Sequence, residues 1–324
     1  MCGIAGFVND MPIDVKCPVL QRMTDMIAHR GPDSEGHYID EHAALGHRRL
    51  SIIDLGGGQQ PIYNEDGSKV ITFNGEIYNY QTLREELIAA GHTFTTKSDT
   101  EVLLHGYEQW GVDLLQRVRG MFTFVIWDKN KQELFGARDH FGIKPFYYAK
   151  MNGTFMYASE IKSLLRHPDF VKELNAEALK PYMTFQYPAI GETFFKGVYK
   201  LPEGHYFTYR DGKMDIHRYY DEDFREGKQK LGELVNSIDQ TVCDSVKAHQ
   251  IADVEVGSFL SSGVDSSYVA AVARPQHTYS IGFGKGTYNE SQQAGELAEL
   301  LKLNNTAESL TDEEAFAAFP RIQW

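Results

Sequence analysis

A cysteine follows the initiator methionine directly, at the start of the run MCGIAGF. Removal of Met1, which the small side chain of Cys2 permits, would leave a cysteine that carries a free α-amino group. A thiol has an ordinary pKa of ~8.5 and an α-amine one of ~7.7–8.0, so a single residue would hold a nucleophile and a matched base. Catalytic N-terminal residues use this arrangement. The alternative interpretation is a small buried hydrophobe near the start of the chain, and the position taken alone favours it.

The composition is that of an ordinary globular protein, with 42% hydrophobic and 24% charged residues over 324 positions. A chain of this length predicts about two domains. Its net charge of −13, without a polybasic block, argues against a nucleic-acid partner or an anionic membrane surface. Three irregularly spaced cysteines favour neither a disulfide framework nor a zinc site, and no apolar stretch is long enough to span a bilayer. We therefore expect a cytoplasmic protein in which Cys2 stays a thiol.

The order of apolar patterns predicts two domains of different class. Residues 1–210 alternate strands, such as Val70–Phe73 and Met121–Trp127, with a few helices, one of which is predicted by the helical spacing of Leu20, Met23 and Ile27. Residues 211–230 are charged and punctuated by glycine, which predicts a linker. Residues 231–324 begin with a helix and continue as strand, loop, helix, strand and helix, the order of a parallel α/β domain.

Three local patterns of the first domain allow both a structural and a catalytic interpretation. Asn74-Gly75 follows a predicted strand and is typical of a type I′ hairpin turn, or else its amide and N–H groups stabilise a developing oxyanion. Arg49 is either surface charge or a bidentate partner for a substrate carboxylate. Asp99 stands where a helix N-cap is expected, or else its carboxylate holds a substrate ammonium. Each pattern alone leaves both interpretations open.

Taken together, seven ordered motifs resemble the class II glutamine amidotransferases, and the glutaminase half of asparagine synthetases in particular. The motifs are CGIAG from Cys2, HRGPD from His29, RRLSIID from Arg48, FNGEIYN from Phe73, SDTE from Ser98, GMFTF from Gly120 and ARDHFGIKPFYY from Ala137. The resemblance implies an α+β N-terminal-nucleophile hydrolase fold, in which two antiparallel sheets lie between helix layers as a four-layer αββα sandwich.

The same resemblance implies roles for single residues. Cys2 would be the nucleophile with its α-amine as base, and Asn74 and Gly75 would form the oxyanion hole. Amide hydrolysis through a thioester requires such a thiolate, a proton shuttle and oxyanion donors. The amino-acid end of glutamine would be clamped chiefly by Arg49 and the two carboxylates of the set. The full set of implied glutamine-binding residues is Arg49, Leu50, Ser51, Ile52, Ile53, Asn74, Gly75, Glu76 and Asp99.

A second pattern lies in the other domain, where a predicted strand over Val254–Leu260 runs into the small-residue segment SSGVDSS. A small-residue loop that feeds a helix N-terminus forms an anion site, although capping serines in a plain strand–helix turn explain it too. The segment resembles the pyrophosphate-binding SGGxDS loop of ATP pyrophosphatases, with Ser262 in place of the first glycine. The resemblance implies that Asp265 binds Mg²⁺ and that ATP is bound by a larger set. That set is Leu260, Ser261, Ser262, Gly263, Val264, Asp265, Ser266 and Ile281.

The two resemblances in this order imply the asparagine synthetase family. Ammonia from glutamine hydrolysis would pass through an internal tunnel to an aspartyl adenylate made from ATP and aspartate. We expect a truncated sequence with an incomplete ATP-pyrophosphatase domain and glutaminase activity only, with a homodimer as the candidate assembly. The alternatives are a non-catalytic regulatory or binding module that keeps the glutaminase fold, and an amidotransferase of this family that acts on another carboxylate.

Overall fold

The computed structural model describes residues 1–187, 189–283 and 290–323. These residues divide into two compact units, Met1–Phe224 and Arg225–Trp324. In the described part of the chain, no helix combines the length and the apolar composition that a membrane crossing needs.

The first unit continues past the end that the sequence predicted for the first domain. Residues 213–218 form a strand that pairs with residues 205–210, and this hairpin occupies the first part of the expected linker 211–230. The pairing is easily missed because few residues of the second strand are buried, so it lacks the apolar alternation of a core strand. The rest of the predicted division stays a prediction.

The described residues of the first unit contain two six-stranded antiparallel sheets. Their strands are β1 (Gly3–Val8), β2 (Ser34–Ile39), β3 (Ala43–Arg49), β4 (Ile62–Tyr63), β5 (Lys69–Ile77), β6 (Gly120–Asp128), β7 (Glu133–Arg138), β8 (Tyr147–Met151), β9 (Thr154–Ala158), β10 (Val198–Lys200), β11 (His205–Arg210) and β12 (Lys213–Arg218). The spatial orders are β10-β8-β9-β1-β3-β2 and β12-β11-β7-β6-β5-β4.

Five helices in the described residues accompany these sheets. They are α1 (Ile13–Asp25), α2 (Tyr80–Ala89), α3 (Asp99–Trp110), α4 (Ile161–Leu164) and α5 (Ala176–Phe185), with 3₁₀ turns at Ala28–Arg30 and Gly111–Gln116. Of these helices, α1, α3 and α4 pack on strands. Leu20 and Met23, which predicted a helix by their spacing, pack from α1 onto Phe7 of β1. On the other sheet, Tyr107 of α3 stacks on Phe135 of β7 with ring centroids 4.6 Å apart.

The inner faces of the two sheets pack against each other. Ile4 and Phe155 of the first sheet share one buried cluster with Val125, Trp127 and Phe207 of the second. Alternate residues of each strand therefore face the sheet–sheet core, and the others face a helix layer. This helix–sheet–sheet–helix order is the layering that the motifs predicted.

The second unit is a small parallel α/β unit. In chain order it contains α6 (Leu231–His249), β13 (Ser258–Phe259), α7 (Val264–Ala273), β14 (His277–Phe283), α8 (Ser291–Leu301), β15 (Asn304–Leu310) and α9 (Asp312–Gln323). The three strands are parallel in the order β13-β14-β15. The strand predicted over Val254–Leu260 is only two residues long, and β15 was missed because its polar sequence NNTAESL lacks a strand pattern.

Candidate active site

One cleft of the first unit gathers Cys2, which precedes β1, with residues from the end of β3 and the segment after it, from β5 and from the start of α3. The lining residues are Cys2, Arg49, Leu50, Ile52, Ile53, Gly58, Gln60, Phe73, Gly75, Glu76, Ser98, Asp99 and Thr100. Four motifs that are far apart in the sequence, CGIAG, RRLSIID, FNGEIYN and SDTE, therefore meet at one place.

The register of the first sheet positions the thiol. Gly3 of β1 pairs with Arg48 of β3, so the residue before β1 lies beside the residue after β3. The Leu50 N–H donates to Cys2 Sγ at 3.3 Å, and the thiol faces the Leu50 carbonyl at 3.5 Å. Burial raises the pKa of the Cys2 thiol, and the contact with Leu50 and the N-terminal ammonium act in the opposite direction. Met1 makes the Cys2 nitrogen an amide, which cannot act as a base.

The HRGPD motif supports this arrangement through its charged residues. The Arg30 Nε donates to the Cys2 carbonyl at 2.9 Å, and its Nη1 is 2.9 Å from Glu160. Asp33 accepts the Ser51 N–H at 2.7 Å. Both side chains thus hold backbone that flanks the cleft.

Arg49 is buried, with 5% of its surface exposed, so its interpretation as surface charge is wrong. Its Nη2 donates to the carbonyls of Ile53 and Asp54 at 3.1 and 2.7 Å, and its Nη1 donates to that of Leu55 at 3.4 Å. Among the described residues, three of the five guanidinium N–H groups are used in this way, which leaves two for a ligand. A Cβ at Gly58 would lie 2.8 Å from Nη2, so glycine there leaves room for the guanidinium.

Glu76 and Asp99 place two carboxylates in the same cleft. Burial, followed by repulsion from Asp99, raises the pKa of Glu76. Burial also raises the pKa of Asp99, although its Oδ2 accepts the Ile77 N–H at 3.0 Å. The predicted N-cap role of Asp99 is wrong, because Ser98 precedes the helix and accepts the Thr100 N–H at 3.2 Å. A bound cation would relieve the repulsion between the two carboxylates.

Asn74 and Gly75 lie within β5, paired with Thr123 and Phe122 of β6, so the hairpin-turn interpretation is wrong. The Asn74 side chain is 1% exposed, and neither its Nδ2 nor its Oδ1 has a hydrogen-bond partner among the described residues. A Cβ on Gly75 would lie 2.2 Å from the Met121 carbonyl oxygen. Only glycine therefore lets β5 approach β6 at this point.

The cleft does not contain every residue that the resemblance implied. Asn74 and Ser51 are absent from its lining, and Ser51 is held by Asp33. The cleft is also lined by residues that were not among the implied site residues: Gly58, Gln60, Phe73, Ser98 and Thr100. Of these, Gln60 binds backbone through both ends of its amide, accepting the Phe73 N–H at 2.6 Å and donating to the Phe73 carbonyl at 3.2 Å. The only feature of the sequence that could have indicated Gln60 is its position a few residues after the RRLSIID motif.

In the second unit, the loop of Ser261–Gly263 leads into α7 at the carboxyl end of β13. The Ser261 N–H donates to Ser266 Oγ at 3.2 Å, and the Ser262 N–H donates to the Glu290 carboxylate at 3.3 Å. A carboxylate at this N–H occupies the position that a phosphate oxygen would take. Ser262 has no positive φ, so its backbone conformation does not require the usual glycine.

The remaining predicted nucleotide residues surround this loop. Leu260 is buried, and Ile281 is half exposed at the corresponding end of β14. Val264 and Asp265 begin α7 and are exposed. In the part of the chain that the structure describes, the Asp265 carboxylate makes no hydrogen bond or ion pair, which fits an oxygen ligand for Mg²⁺.

Comparisons with known proteins agree with this architecture. Residues 1–220 match the family model of the glutamine amidotransferase domain, and residues 237–324 match that of asparagine synthase. Asparagine synthetase [glutamine-hydrolyzing] 1 of Bacillus subtilis is 43% identical over 100% of this chain and 52% of its own length. Asparagine synthetase [glutamine-hydrolyzing] 3 of the same organism is 36% identical over 87% of this chain and 48% of its own length. The chain thus spans about half the length of the curated relatives it matches.

Among solved structures, the glutamine phosphoribosylpyrophosphate amidotransferase of B. subtilis aligns with a TM-score of 0.51 at 15% identity, covering 94% of this chain and 65% of its own. This likeness concerns the fold and confirms the predicted N-terminal-nucleophile hydrolase architecture of the first unit. These matches agree with the layered sheets and with the cleft at Cys2. The chain therefore belongs to the glutamine amidotransferase family, and an asparagine synthase region follows its amidotransferase domain in the sequence.

Proposed function

We propose that this chain hydrolyses glutamine to glutamate and ammonia at Cys2. The observation that supports the proposal is the cleft itself, in which the thiol lies with the buried guanidinium of Arg49 and the carboxylates of Glu76 and Asp99. The α-carboxylate and α-ammonium of glutamine complement these charges. A generic amide lacks both groups, so the cleft selects an amino acid.

In this proposal, removal of Met1 frees the α-amine of Cys2. The amine accepts the thiol proton as Sγ attacks the side-chain amide carbon of glutamine. The Gly75 N–H and the unpartnered Asn74 amide stabilise the resulting oxyanion, and one such donor is typically worth ~10²–10³ in rate. The α-ammonium then protonates the leaving nitrogen, the C–N bond breaks, and ammonia departs. Water hydrolyses the thioester to glutamate and restores the thiol.

A nucleophile variant and an N-terminal extension test this proposal together. Cys2→Ala should abolish ammonia release from glutamine, because no thioester can form. One residue retained before Cys2 should do nearly the same, because it keeps the nitrogen as an amide. Ammonia release is measured beside the intact mass of each protein, and Cys17→Ala, an exposed cysteine outside the cleft, is the matched control. Full activity with Met1 retained would contradict the mechanism.

We also propose that the second unit belongs to an asparagine-synthesising machinery in the cytoplasm. There the loop of Ser261–Ser266 would hold the phosphates of ATP, and Asp265 would hold Mg²⁺. Aspartate would be activated as its β-adenylate and would receive the ammonia. Leu260 and Ile281, at the ends of neighbouring parallel strands, would contact the nucleotide, since this edge of a parallel sheet is where ligands bind.

A further inference from the structure

Lys144 is a buried cation beside the candidate nucleophile, and the proposed reaction assigns it no role. Its side chain is 2% exposed. Among the described residues, the only hydrogen bond of its ammonium goes to Met1 Sδ, at 3.0 Å. A thioether is a weak acceptor, and a buried charge without a partner is costly. A buried ammonium that the fold does not pair with a strong acceptor is therefore a candidate for a functional role.

The fold holds the backbone of Lys144 firmly. Asp139 accepts the N–H groups of Phe141, Ile143 and Lys144 at 3.1, 2.9 and 2.9 Å. The guanidinium of Arg138 donates through Nε to the Lys144 carbonyl at 2.7 Å. Arg138 and Asp139 are both buried. These bonds fix the turn before β8 and direct the Lys144 side chain to the N-terminus.

Charged groups from several elements surround the Lys144 ammonium and the N-terminus and affect their pKa values. Glu76 lies on β5, Asp99 begins α3, Arg30 ends the 3₁₀ turn after α1, and Asp139 follows β7. Burial lowers the pKa of Lys144, while Glu76 acts in the opposite direction. Burial likewise lowers the pKa of the N-terminal amine, the Cys2 thiol acts against it, and Arg30 and Lys144 act in the same direction as burial while Glu76 opposes them. Burial therefore has the largest effect on the protonation of this end of the chain, and Lys144 is one of the two cations that add to it.

Processing changes the surroundings of the ammonium. Met1 Sδ leaves with Met1, so the ammonium loses this hydrogen bond, while its electrostatic interaction with the thiol of Cys2 remains. A nearby cation disfavours the protonated amine and favours the thiolate. We propose that, after removal of Met1, Lys144 is the positioning residue that electrostatically keeps the Cys2 α-amine as free base and its thiol ready to ionise. This inference rests on the proposed glutaminase function.

The test compares Lys144→Met and Lys144→Gln, which remove the charge, with Lys144→Arg, which keeps it. Lys150→Met is the matched control, because Lys150 is exposed on β8 and hydrogen-bonds to the Gly212 carbonyl. Alkylation of Cys2 by iodoacetamide is followed against pH by mass spectrometry in proteins shown to lack Met1. The acid limb of kcat/KM for glutamine is measured in parallel, and thermal melting verifies folding.

We expect both neutral variants to raise the midpoint of Cys2 alkylation and the acid limb by about one pH unit or more. In the Lys144→Arg variant both values should stay near those of the wild type, and in the Lys150→Met control they should be unchanged. A folded neutral variant that titrates like the wild type overturns the proposal. If neither neutral variant folds, a wild-type midpoint at or above the ordinary thiol value of ~8.5 overturns it. Absence of glutaminase activity in the processed wild type would instead contradict the proposed function, since alkylation is read independently of it.

Discussion

Glu76 and Asp99 place two carboxylates in one buried cleft. Burial raises the pKa values of both carboxyls when no ligand is present, and repulsion from Asp99 raises that of Glu76 further. An ammonium between them would stabilise both ionised forms, so glutamine binding should release protons below the raised pKa values. We expect this release at neutral pH and a KM for glutamine that falls as pH rises toward the pKa of Glu76. Calorimetry in buffers of different ionisation enthalpy measures the release, and binding without proton exchange would contradict the assignment.

Removal of one of these charges tests the same contact directly. Asp99→Asn should raise the KM for glutamine at least tenfold, since a charge-assisted hydrogen bond is worth ~1.5–3 kcal/mol. Asp14→Asn is the matched control, because Asp14 is an exposed acid in the first turn of α1. Steady-state kinetics and urea unfolding are measured on both variants. A loss of stability in the Asp99 variant with an unchanged KM would assign Asp99 a purely structural role.

A substitution at Gly75 tests whether the close approach of β5 to β6 is needed to position the proposed oxyanion donors. Gly75→Ala would place a methyl group 2.2 Å from the Met121 carbonyl oxygen, so β5 and β6 must move apart. We expect a loss of stability of several kcal/mol, together with loss of glutaminase activity. Gly67→Ala serves for comparison, because Gly67 meets no atom within 4 Å, although its φ of +68° carries a separate cost. Equal effects of the two substitutions would contradict the close-approach argument.

The residue types of the cleft were predictable, but their local conformations were not. Asn74-Gly75 is the commonest hairpin pair, yet β6 pairs straight through it, so tertiary pairing overrides the local preference. Arg49 was ambiguous because the backbone carbonyls that bury its guanidinium come from a loop without periodicity. Gln60 was missed for a related reason, since its role is to bind the backbone of a strand thirteen residues away.

At the scale of elements, buried strands and amphipathic helices were predicted well, and solvated strands were not. β5 and β6 contain the apolar runs that marked them, and α1 contains the predicted helical stripe. β12 and β15 have mostly exposed residues, so neither showed an alternating pattern. Where hydrogen bonding to a neighbour, rather than burial, fixes a strand, the sequence contains little signal for it.

Helix α3 is tied to its surroundings by a charged cluster outside the cleft. The fully buried His105 lies 3.1 Å from Glu108, 3.3 Å from Glu65 and 3.5 Å from Glu101. Burial alone would lower the pKa of His105, but its carboxylate partners raise it to about 9. Because the folded pKa exceeds the ordinary 6.5, the resulting stabilisation is complete below about pH 6.5 and is lost as pH rises through 9.

This cluster predicts a pH-dependent stability difference. His105→Gln should lower the free energy of unfolding by about 1–3 kcal/mol at acidic pH, and the difference should narrow at strongly alkaline pH. Urea unfolding across that range measures it. His42→Gln, whose imidazole is partly exposed beside the exposed Asp10, should have little effect at either pH. A difference that stays constant with pH would show that His105 contributes through packing alone.

At the scale of the whole molecule, the two units differ in how much apolar surface they enclose. The first unit buries large side chains between its sheets and under its helices. The second has one small buried cluster, and Phe259, Tyr279, Ile281 and Phe283 on its strands remain largely exposed. Exposed apolar patches of this kind mark surfaces that contact other protein. The curated relatives, at about twice the length, contain sequence that this chain does not match.

A polypeptide of these 324 residues should therefore separate the two proposed activities. We expect it to release ammonia from glutamine, because the residues of the candidate glutaminase site all lie in the first unit. We expect no aspartate-dependent release of pyrophosphate from ATP. Alignment of two substrates can supply ~7–11 kcal/mol of barrier reduction, and a loop with one exposed carboxylate, Asp265, offers few contacts to align them. Both products are measured on one preparation, with Cys2→Ala as control for ammonia. Aspartate-dependent pyrophosphate from this polypeptide would show that its own residues complete the synthetase site.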